Sequence, residues 1–109
     1  MRRSDPMWLP GVKYLMMAAI ECCVDIAQHV CSAERWGAPR DNADALRMLG
    51  ERGVVAGATA DAMRLAVGFR NVLVHDYVDV DDAIVVARLA DLSDVERFIA
   101  EVVDWLGQR

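Results

Sequence analysis

The feature that most constrains the fold is a helical spacing of apolar residues between positions 12 and 33. Polar residues such as Lys13, Glu21 and Asp25 occupy the other side of the same segment. An apolar stripe that recurs every three or four residues lies on one face of an α-helix. We therefore predict a long amphipathic helix over residues 12–33, with a stripe formed by Val12, Leu15, Met16, Ala19, Cys23, Ile26, Val30 and Ala33.

The rest of the chain has the same helical period and predicts three more helices. These are residues 43–52, a helix from an N-cap at Thr59 to about Asp76, and a helix from Asp81 to Trp105. Hydrophobic residues make up 55% of the 109 residues but aromatic residues only 6%, which disfavours a sheet. We predict an all-α antiparallel bundle of about four helices, in a single domain over residues 1–109 with an irregular leader at residues 1–10.

Residues that cap or break helices mark the expected helix ends. Asp41 or Asn42 can cap the second helix, and Gly53 can end it. The third helix has apolar residues around most of its circumference, so we predict that it is largely buried. Ser93 and Glu96 form a capping-box pattern that could divide the last helix in two, but we expect one continuous helix there.

Charge and cysteine content exclude several classes of function. A net charge of −5 opposes a nonspecific nucleic-acid coat, so any phosphate chemistry needs a local basic site. Cys22, Cys23 and Cys31 are an odd number of cysteines, and they suit core thiols of a reducing compartment better than a disulfide framework or a zinc site. No segment approaches the roughly 18 apolar residues of a membrane span. We expect a cytoplasmic protein without membrane contact, cofactor or metal.

The stretch GFRNVLVHDY, residues 68–77, brings a guanidinium, an amide, an imidazole and a phenol into a pattern that is otherwise largely apolar. On a straight helix Arg70 and His75 diverge by about 140°, whereas Asn71 and His75 share a face. Arg70 and His75 can therefore act at one point if the helix unwinds near Val78, or if two copies of the chain complete a site across a dimer. The residues alone leave a structural reading open, in which Arg70 pairs with a carboxylate and His75 is a core imidazole.

The hexapeptide RNVLVH, Arg70 to His75, resembles the Arg-x4-His signature of HEPN domains. With Asp76 and Tyr77 after it, the stretch is similar to the form typical of HepT-like toxins of bacterial toxin–antitoxin pairs. The similarity extends to the flanking segments AIECCVDIAQHV, LRMLGERGVV and YVDVDDAIV, and it covers roughly residues 12–106. The start of the chain differs, because the family usually has a longer opening helix than the short leader found here.

This resemblance implies a homodimer that cleaves RNA without a metal ion at a cleft where two protomers each present the motif. It implies that His75 is the acid and base and that Arg70 holds the phosphate, which fits the chemistry of an imidazole and a guanidinium. Asn71 would orient the imidazole or bind a phosphate oxygen, or it is a plain surface amide. The resemblance also implies a cognate minimal nucleotidyltransferase as the antitoxin, with Tyr77 as the acceptor of AMP.

Other polar groups support weaker interpretations. Asp25 and His29 are four residues apart and are expected to pair on the first helix, with a role in the cleft as the alternative. The acidic run Asp79, Asp81 and Asp82 lacks the glycine and glutamate of a calcium loop and suits a helix N-terminus, so we reject a metal site there. Two other functions remain open: a catalytically weak HEPN binding module, and a helical interaction protein without enzymatic activity.

Overall fold

The computed structural model describes the backbone of residues 8–75 and 92–109, and the side chains of residues 11–72 and 92–109. Within these residues the chain forms four α-helices and no strand, which confirms the all-α prediction. The helices are α1 (Trp8–Ala33), α2 (Asn42–Glu51), α3 (Gly57–His75) and α4 (Ser93–Gly107). α1 packs against the other three helices, α2 packs against α3, and α3 packs against α4.

α1 begins earlier than predicted. Helical backbone starts at Trp8, so residues 8–10 are not part of an irregular leader, and residues 1–7 lie outside the described residues. Pro10 is compatible with this start, because the first turn of a helix has N–H groups without an intrahelical acceptor and proline lacks that N–H. The apolar period from Val12 therefore marks the buried part of the helix rather than its first residue.

The core lies along one stripe of α1 that the other helices cover. Leu15, predicted to be in the stripe, is exposed, whereas Lys13, predicted on the polar side, is buried. The observed stripe includes Ile20 and Val24, because α2, α3 and α4 cover that side of α1. The largest fully buried side chains are Phe98, Leu46, Leu49, Met63, Thr59, Cys23 and Cys31.

The prediction that no segment approaches a membrane span is wrong for α1. Among the described residues, the helical segment Gly11–Ala33 is long and apolar enough to cross a membrane, with a mean hydropathy of 1.3 over an 18-residue window. Core helices of water-soluble proteins meet the same criterion, and this segment packs one stripe against three other helices. Length and composition therefore do not distinguish a membrane span from a core helix here.

α2 has the ends that its sequence predicts. The extended residue Asp41 is the N-cap, and its carboxylate accepts a hydrogen bond from the backbone N–H of Asp44 at 2.8 Å. Asp41 rather than Asn42 is therefore the cap. Gly53 follows the C-cap Arg52 with a φ of +76°, a left-handed conformation that costs glycine little.

The loop before α2 is attached to the helix through Asp44. This buried carboxylate accepts from Nε of Arg47 at 2.7 Å and from the backbone N–H of Arg40 at 2.9 Å. The bond from Arg47, followed by the bond from the Arg40 backbone, holds the pKa of the Asp44 carboxyl well below its usual range. Asp44 is therefore ionised across the neutral range and fastens the loop to the first turn of α2.

α3 starts two residues before the predicted N-cap, Thr59. Its first turn is held by α4: Oε1 of Glu101 accepts from the backbone N–H of Ala56 at 2.6 Å, and Oε2 accepts from the Thr59 hydroxyl at 2.7 Å. A carboxylate at this position also interacts favourably with the positive end of the helix dipole. Because the capping group comes from a residue 42 positions later, the local sequence could not predict it.

α4 begins at Ser93, so the prediction of one continuous helix from Asp81 to Trp105 is wrong at this point. Leu92 occupies the N-cap position, and the first turn carries two acidic residues that the helix dipole favours. The capping-box pattern coincides with the start of α4, although Ser93 is the first helical residue rather than the cap. Asp81 and the rest of residues 76–91 lie outside the described residues.

Gly50 permits the close packing of α2 against α3, and we expect Gly50→Ala to destabilise the fold. A Cβ at this position would lie 2.8 Å from Cβ of Ala60, which belongs to a short side chain that cannot turn away. The helices would have to separate, and overpacking of this kind costs about 1–3 kcal/mol, more than the roughly 0.5–1 kcal/mol that alanine contributes in a helix. Urea unfolding of Gly50→Ala and of the control Gly57→Ala measures the difference.

Gly57 is a suitable control because a Cβ there would contact nothing within 4 Å. We expect Gly57→Ala to be neutral or slightly stabilising. Equal unfolding midpoints for the two variants would contradict the close approach of α2 and α3 at Gly50.

Candidate active site

Arg70 lies near the end of α3, where this helix meets α1. Its side chain is 17% exposed, and its Nη1 donates a hydrogen bond to Oε2 of Glu21 on α1. The Glu21 side chain is 48% exposed, so the ion pair is located at the edge of the helix contact. The fold thus joins two residues that are 49 positions apart in the sequence.

The other terminal nitrogen of Arg70 is held by the next residue in the chain. Nη2 donates to Oδ1 of Asn71 at 2.8 Å. Nε is buried and has no hydrogen-bond acceptor among the described residues. Both terminal nitrogens of the guanidinium therefore donate hydrogen bonds to side chains of the same protomer. The sequence did not predict that the Asn71 amide would contact Arg70.

An open groove of about 380 Å³ is lined by residues of α1 and by Arg70 of α3. Two carboxylates, one guanidinium, one phenol and one thiol contribute its polar lining. The charged groups of the lining therefore sum to one negative charge when both carboxylates are ionised. The lining residues are Tyr14, Met17, Ala18, Glu21, Cys22, Asp25 and Arg70.

Asp25 and His29, the two residues of the first helix with a possible role in the cleft, differ in position relative to the groove. Asp25 lines the groove together with Arg70, one turn of α1 beyond Glu21. His29 is exposed and is not among the lining residues. No hydrogen bond or ion pair between Asp25 and His29 is present in the described part of the chain, so their expected pairing is not formed.

The remaining motif residues are only partly within the described structure. His75 is the last residue of α3, one helical turn after Asn71, and its side chain lies outside the described residues. Tyr77 and the acidic run Asp79, Asp81 and Asp82 also lie outside them. Their predicted roles therefore rest on the sequence.

The cysteines fit the prediction of core thiols with one correction. Cys23 and Cys31 are buried, and burial, with a smaller effect of Cys22, raises the pKa of the Cys23 thiol to about 11. Cys22 is exposed and lines the groove, because it follows Glu21 on the face of α1 that the other helices leave open. In the described ranges no three His, Cys, Asp or Glu side chains are grouped as metal ligands.

The prediction that α3 is largely buried is wrong, because only one side of this helix is covered. Ala60, Met63 and Val67 form its buried stripe, whereas Leu65 is 68% exposed and Val72 is 46% exposed. Both exposed residues lie on the helix that carries Arg70. Leu65 and Val72 are seven residues apart and therefore lie on one side of α3, a position compatible with contact to another protein chain.

Glu21 is the site residue that sequence reasoning missed. It was identified only as part of the polar side of the first helix. A partial signal was present, since Glu21 and Asp25 are one turn apart and both face away from the predicted stripe. That spacing shows that two carboxylates share a face, but it cannot show which residue of another helix lies opposite them.

Comparisons with known proteins agree with the motif and the fold. A family model described as ribonuclease HepT-like matches residues 2–102. The mRNA nuclease HepT of Shewanella oneidensis is 32% identical over 80 residues, which cover 72% of this chain and 60% of that protein. The chain thus matches less than two thirds of the length of this relative.

Two solved structures are similar to this chain over most of its length. One is the tri-AMPylated HEPN toxin of Shewanella oneidensis in complex with its MNT antitoxin, with a TM-score of 0.85 and 28% identity over 94% of this chain and 77% of that chain. The other is a toxin–antitoxin complex with AMP-PNP, with a TM-score of 0.83 and 28% identity over 92% of this chain and 77% of that chain. These similarities confirm the resemblance that the motif indicated.

Proposed function

Because this chain belongs to the HepT-like ribonuclease family, we propose that it is the toxin of a toxin–antitoxin pair and a metal-independent RNA endonuclease of the cytoplasm. The names of its relatives, an mRNA nuclease and a HEPN toxin bound to an antitoxin, support this function. The observation that carries the proposal is the position of Arg70. Arg70 lines an open groove, and it is the arginine of the Arg-x4-His motif.

Arg70 and His75 together provide the chemistry of RNA cleavage. The neutral imidazole of His75 takes the proton of a ribose 2′-hydroxyl, and the 2′-oxygen attacks the adjacent phosphorus. The bond between phosphorus and the 5′-oxygen breaks, and the leaving oxygen takes the proton that His75 accepted, which returns the imidazole to its neutral form. The products carry a 2′,3′-cyclic phosphate and a 5′-hydroxyl. Arg70 stabilises the negative charge that develops on the phosphorane.

A homodimer completes the site in this proposal. Five residues separate Arg70 from His75, which sets the two side chains about 140° apart on a straight helix, so one helix does not aim both at the same phosphate. A second copy can supply the missing group, because closed two-fold dimers present the same surface twice. The exposed Leu65 and Val72 on α3 support a protein contact on this helix.

The cognate antitoxin is a minimal nucleotidyltransferase that neutralises the toxin by attaching AMP to Tyr77. The solved relative in complex with an MNT antitoxin is tri-AMPylated, which supports covalent modification in this family. A phosphodiester and a nucleotide beside the phosphate clamp would compete with RNA for Arg70. In this proposal the modification blocks the site without unfolding the protein.

A catalytically weak binding module is the second candidate, and one observation favours it. Glu21 and Asp25 place two carboxylates in the groove beside the Arg70 guanidinium, which offsets the positive charge that would attract a phosphate. In this alternative the chain is chiefly the substrate and binding partner of the nucleotidyltransferase, through Tyr77.

The test of the proposed function is size-exclusion chromatography of the purified protein with light scattering, followed by RNA cleavage assays on each fraction in EDTA. We expect a dimer at micromolar concentration, and we expect this fraction to convert single-stranded RNA to fragments with 2′,3′-cyclic phosphate ends. A stable dimer without cleavage would favour the binding module. Activity in a monomer fraction would contradict the composite site.

A further inference from the structure

We infer that Glu21 is the positioning residue of the phosphate clamp: its carboxylate fixes the Arg70 guanidinium at the wall of the groove. This inference rests on the proposed function, in which Arg70 holds the phosphate. It assigns a role to a residue outside the Arg-x4-His motif, on a different helix.

The hydrogen bonds of Arg70 support this role. A guanidinium has five N–H donors, two on each terminal nitrogen and one on Nε. Glu21 accepts from Nη1, Asn71 accepts from Nη2, and Nε is buried. Within residues 11–72 and 92–109 each terminal nitrogen makes one hydrogen bond, so one further N–H on each can donate, and two N–H donors match two oxygens of a phosphate. The plane of the guanidinium is anchored while its capacity for a bidentate contact is retained.

Stabilisation of the fold does not account for this ion pair. The Glu21 side chain is about half exposed, and exposed pairs contribute little to stability. Arg70, by contrast, is mostly buried, so its long side chain is held by packing along its stem and by Glu21 at its end. An arginine preorganised in this way does not have to lose rotamer freedom when the phosphate binds.

The carboxylate of Glu21 has two effects that substitutions can separate. As a hydrogen-bond acceptor it positions Arg70, and as a negative charge beside the groove it weakens the attraction for phosphate. Glu21→Gln keeps an acceptor oxygen and removes the charge, whereas Glu21→Ala removes both. The control Glu51→Ala removes a carboxylate from another exposed ion pair, with Arg47 on α2, away from the groove.

The experiment measures kcat and KM for single-stranded RNA cleavage in EDTA with these variants. We expect Glu21→Ala to lower kcat by about tenfold or more, because positioning a catalytic group contributes at least that much. We expect Glu21→Gln to keep a kcat close to that of the wild type, because an acceptor oxygen remains. Its KM should be lower, because a negative charge beside the groove is removed. This KM should rise with salt, as expected for an interaction with the phosphate backbone. Glu51→Ala should match the wild type in both constants.

A second measurement follows Arg70 without RNA. Phenylglyoxal reacts with accessible guanidinium groups, and peptide mass mapping gives the rate at Arg70. We expect a faster reaction in Glu21→Ala than in the wild type, and a nearly unchanged rate in Glu21→Gln. Equal Arg70 reactivity in the wild type and Glu21→Ala would overturn the positioning role.

The two measurements separate this inference from the proposed function. If no variant cleaves RNA and Arg70 reactivity still rises in Glu21→Ala, the proposed nuclease function fails but Glu21 holds Arg70. If the wild type cleaves RNA and Glu21→Ala keeps its kcat, the positioning role is overturned and the nuclease function stands.

Discussion

Arg70→Ala is expected to reduce the cleavage of single-stranded RNA by at least about a hundredfold while the protein remains folded and dimeric. Removal of one preorganised group that stabilises transition-state charge costs roughly 3 kcal/mol in activation free energy. We expect the variant to remain folded, because the half-exposed ion pair with Glu21 contributes little, although loss of the mostly buried Arg70 side chain also removes packing. Initial rates in EDTA, with circular dichroism as a check of folding, measure both effects.

His75→Ala should give a loss of similar size, because it removes the group that takes the proton of the 2′-hydroxyl. The chain contains two histidines, which makes His29→Ala the matched control, since His29 does not line the groove. Arg97→Ala is the matched control for Arg70→Ala, since Arg97 forms an exposed ion pair with Asp94 on α4. Full cleavage by His75→Ala, or loss of wild-type cleavage in EDTA, would contradict the proposed mechanism.

Attachment of AMP to Tyr77 is expected to abolish RNA cleavage. In this reaction the Tyr77 phenol oxygen attacks the α-phosphorus of ATP, pyrophosphate leaves, and the phenol proton is lost. The phosphodiester adds a negative charge two residues after His75, where it competes with RNA for the guanidinium of Arg70. Co-expression with the cognate nucleotidyltransferase, followed by intact mass, peptide mapping and cleavage assays, tests this outcome.

The chain offers a matched control for this modification. It has two tyrosines, and Tyr14 is exposed and lines the same groove as Arg70. We expect Tyr14→Phe to be modified and silenced like the wild type, and Tyr77→Phe to remain unmodified and active beside the antitoxin. AMP found on Tyr14, or an unmodified Tyr77 beside an active transferase, would refute Tyr77 as the acceptor.

Local sequence was sufficient to predict the helices and the motif. The spacing of apolar residues depends on one helix at a time, so it located the four described helices within a few residues. The exception is the last helix, whose predicted start at Asp81 lies well before the observed start at Ser93. The N-cap at Asp41 and the left-handed Gly53 were predictable for the same reason, since their partners lie within four residues. The Arg-x4-His motif and its flanking segments were also sufficient to indicate the family.

Contacts between helices decided the rest. The start of α3 depends on Glu101 from α4, and the orientation of Arg70 depends on Glu21 from α1. The exposure of Leu65 on α3 likewise follows from how the other helices pack. A helical period determines which residues of one helix share a face, but it carries no information on the rotation and offset of that face relative to a second helix. Those two quantities are set by the packing of the whole core, because each helix adjusts to all of its neighbours at once.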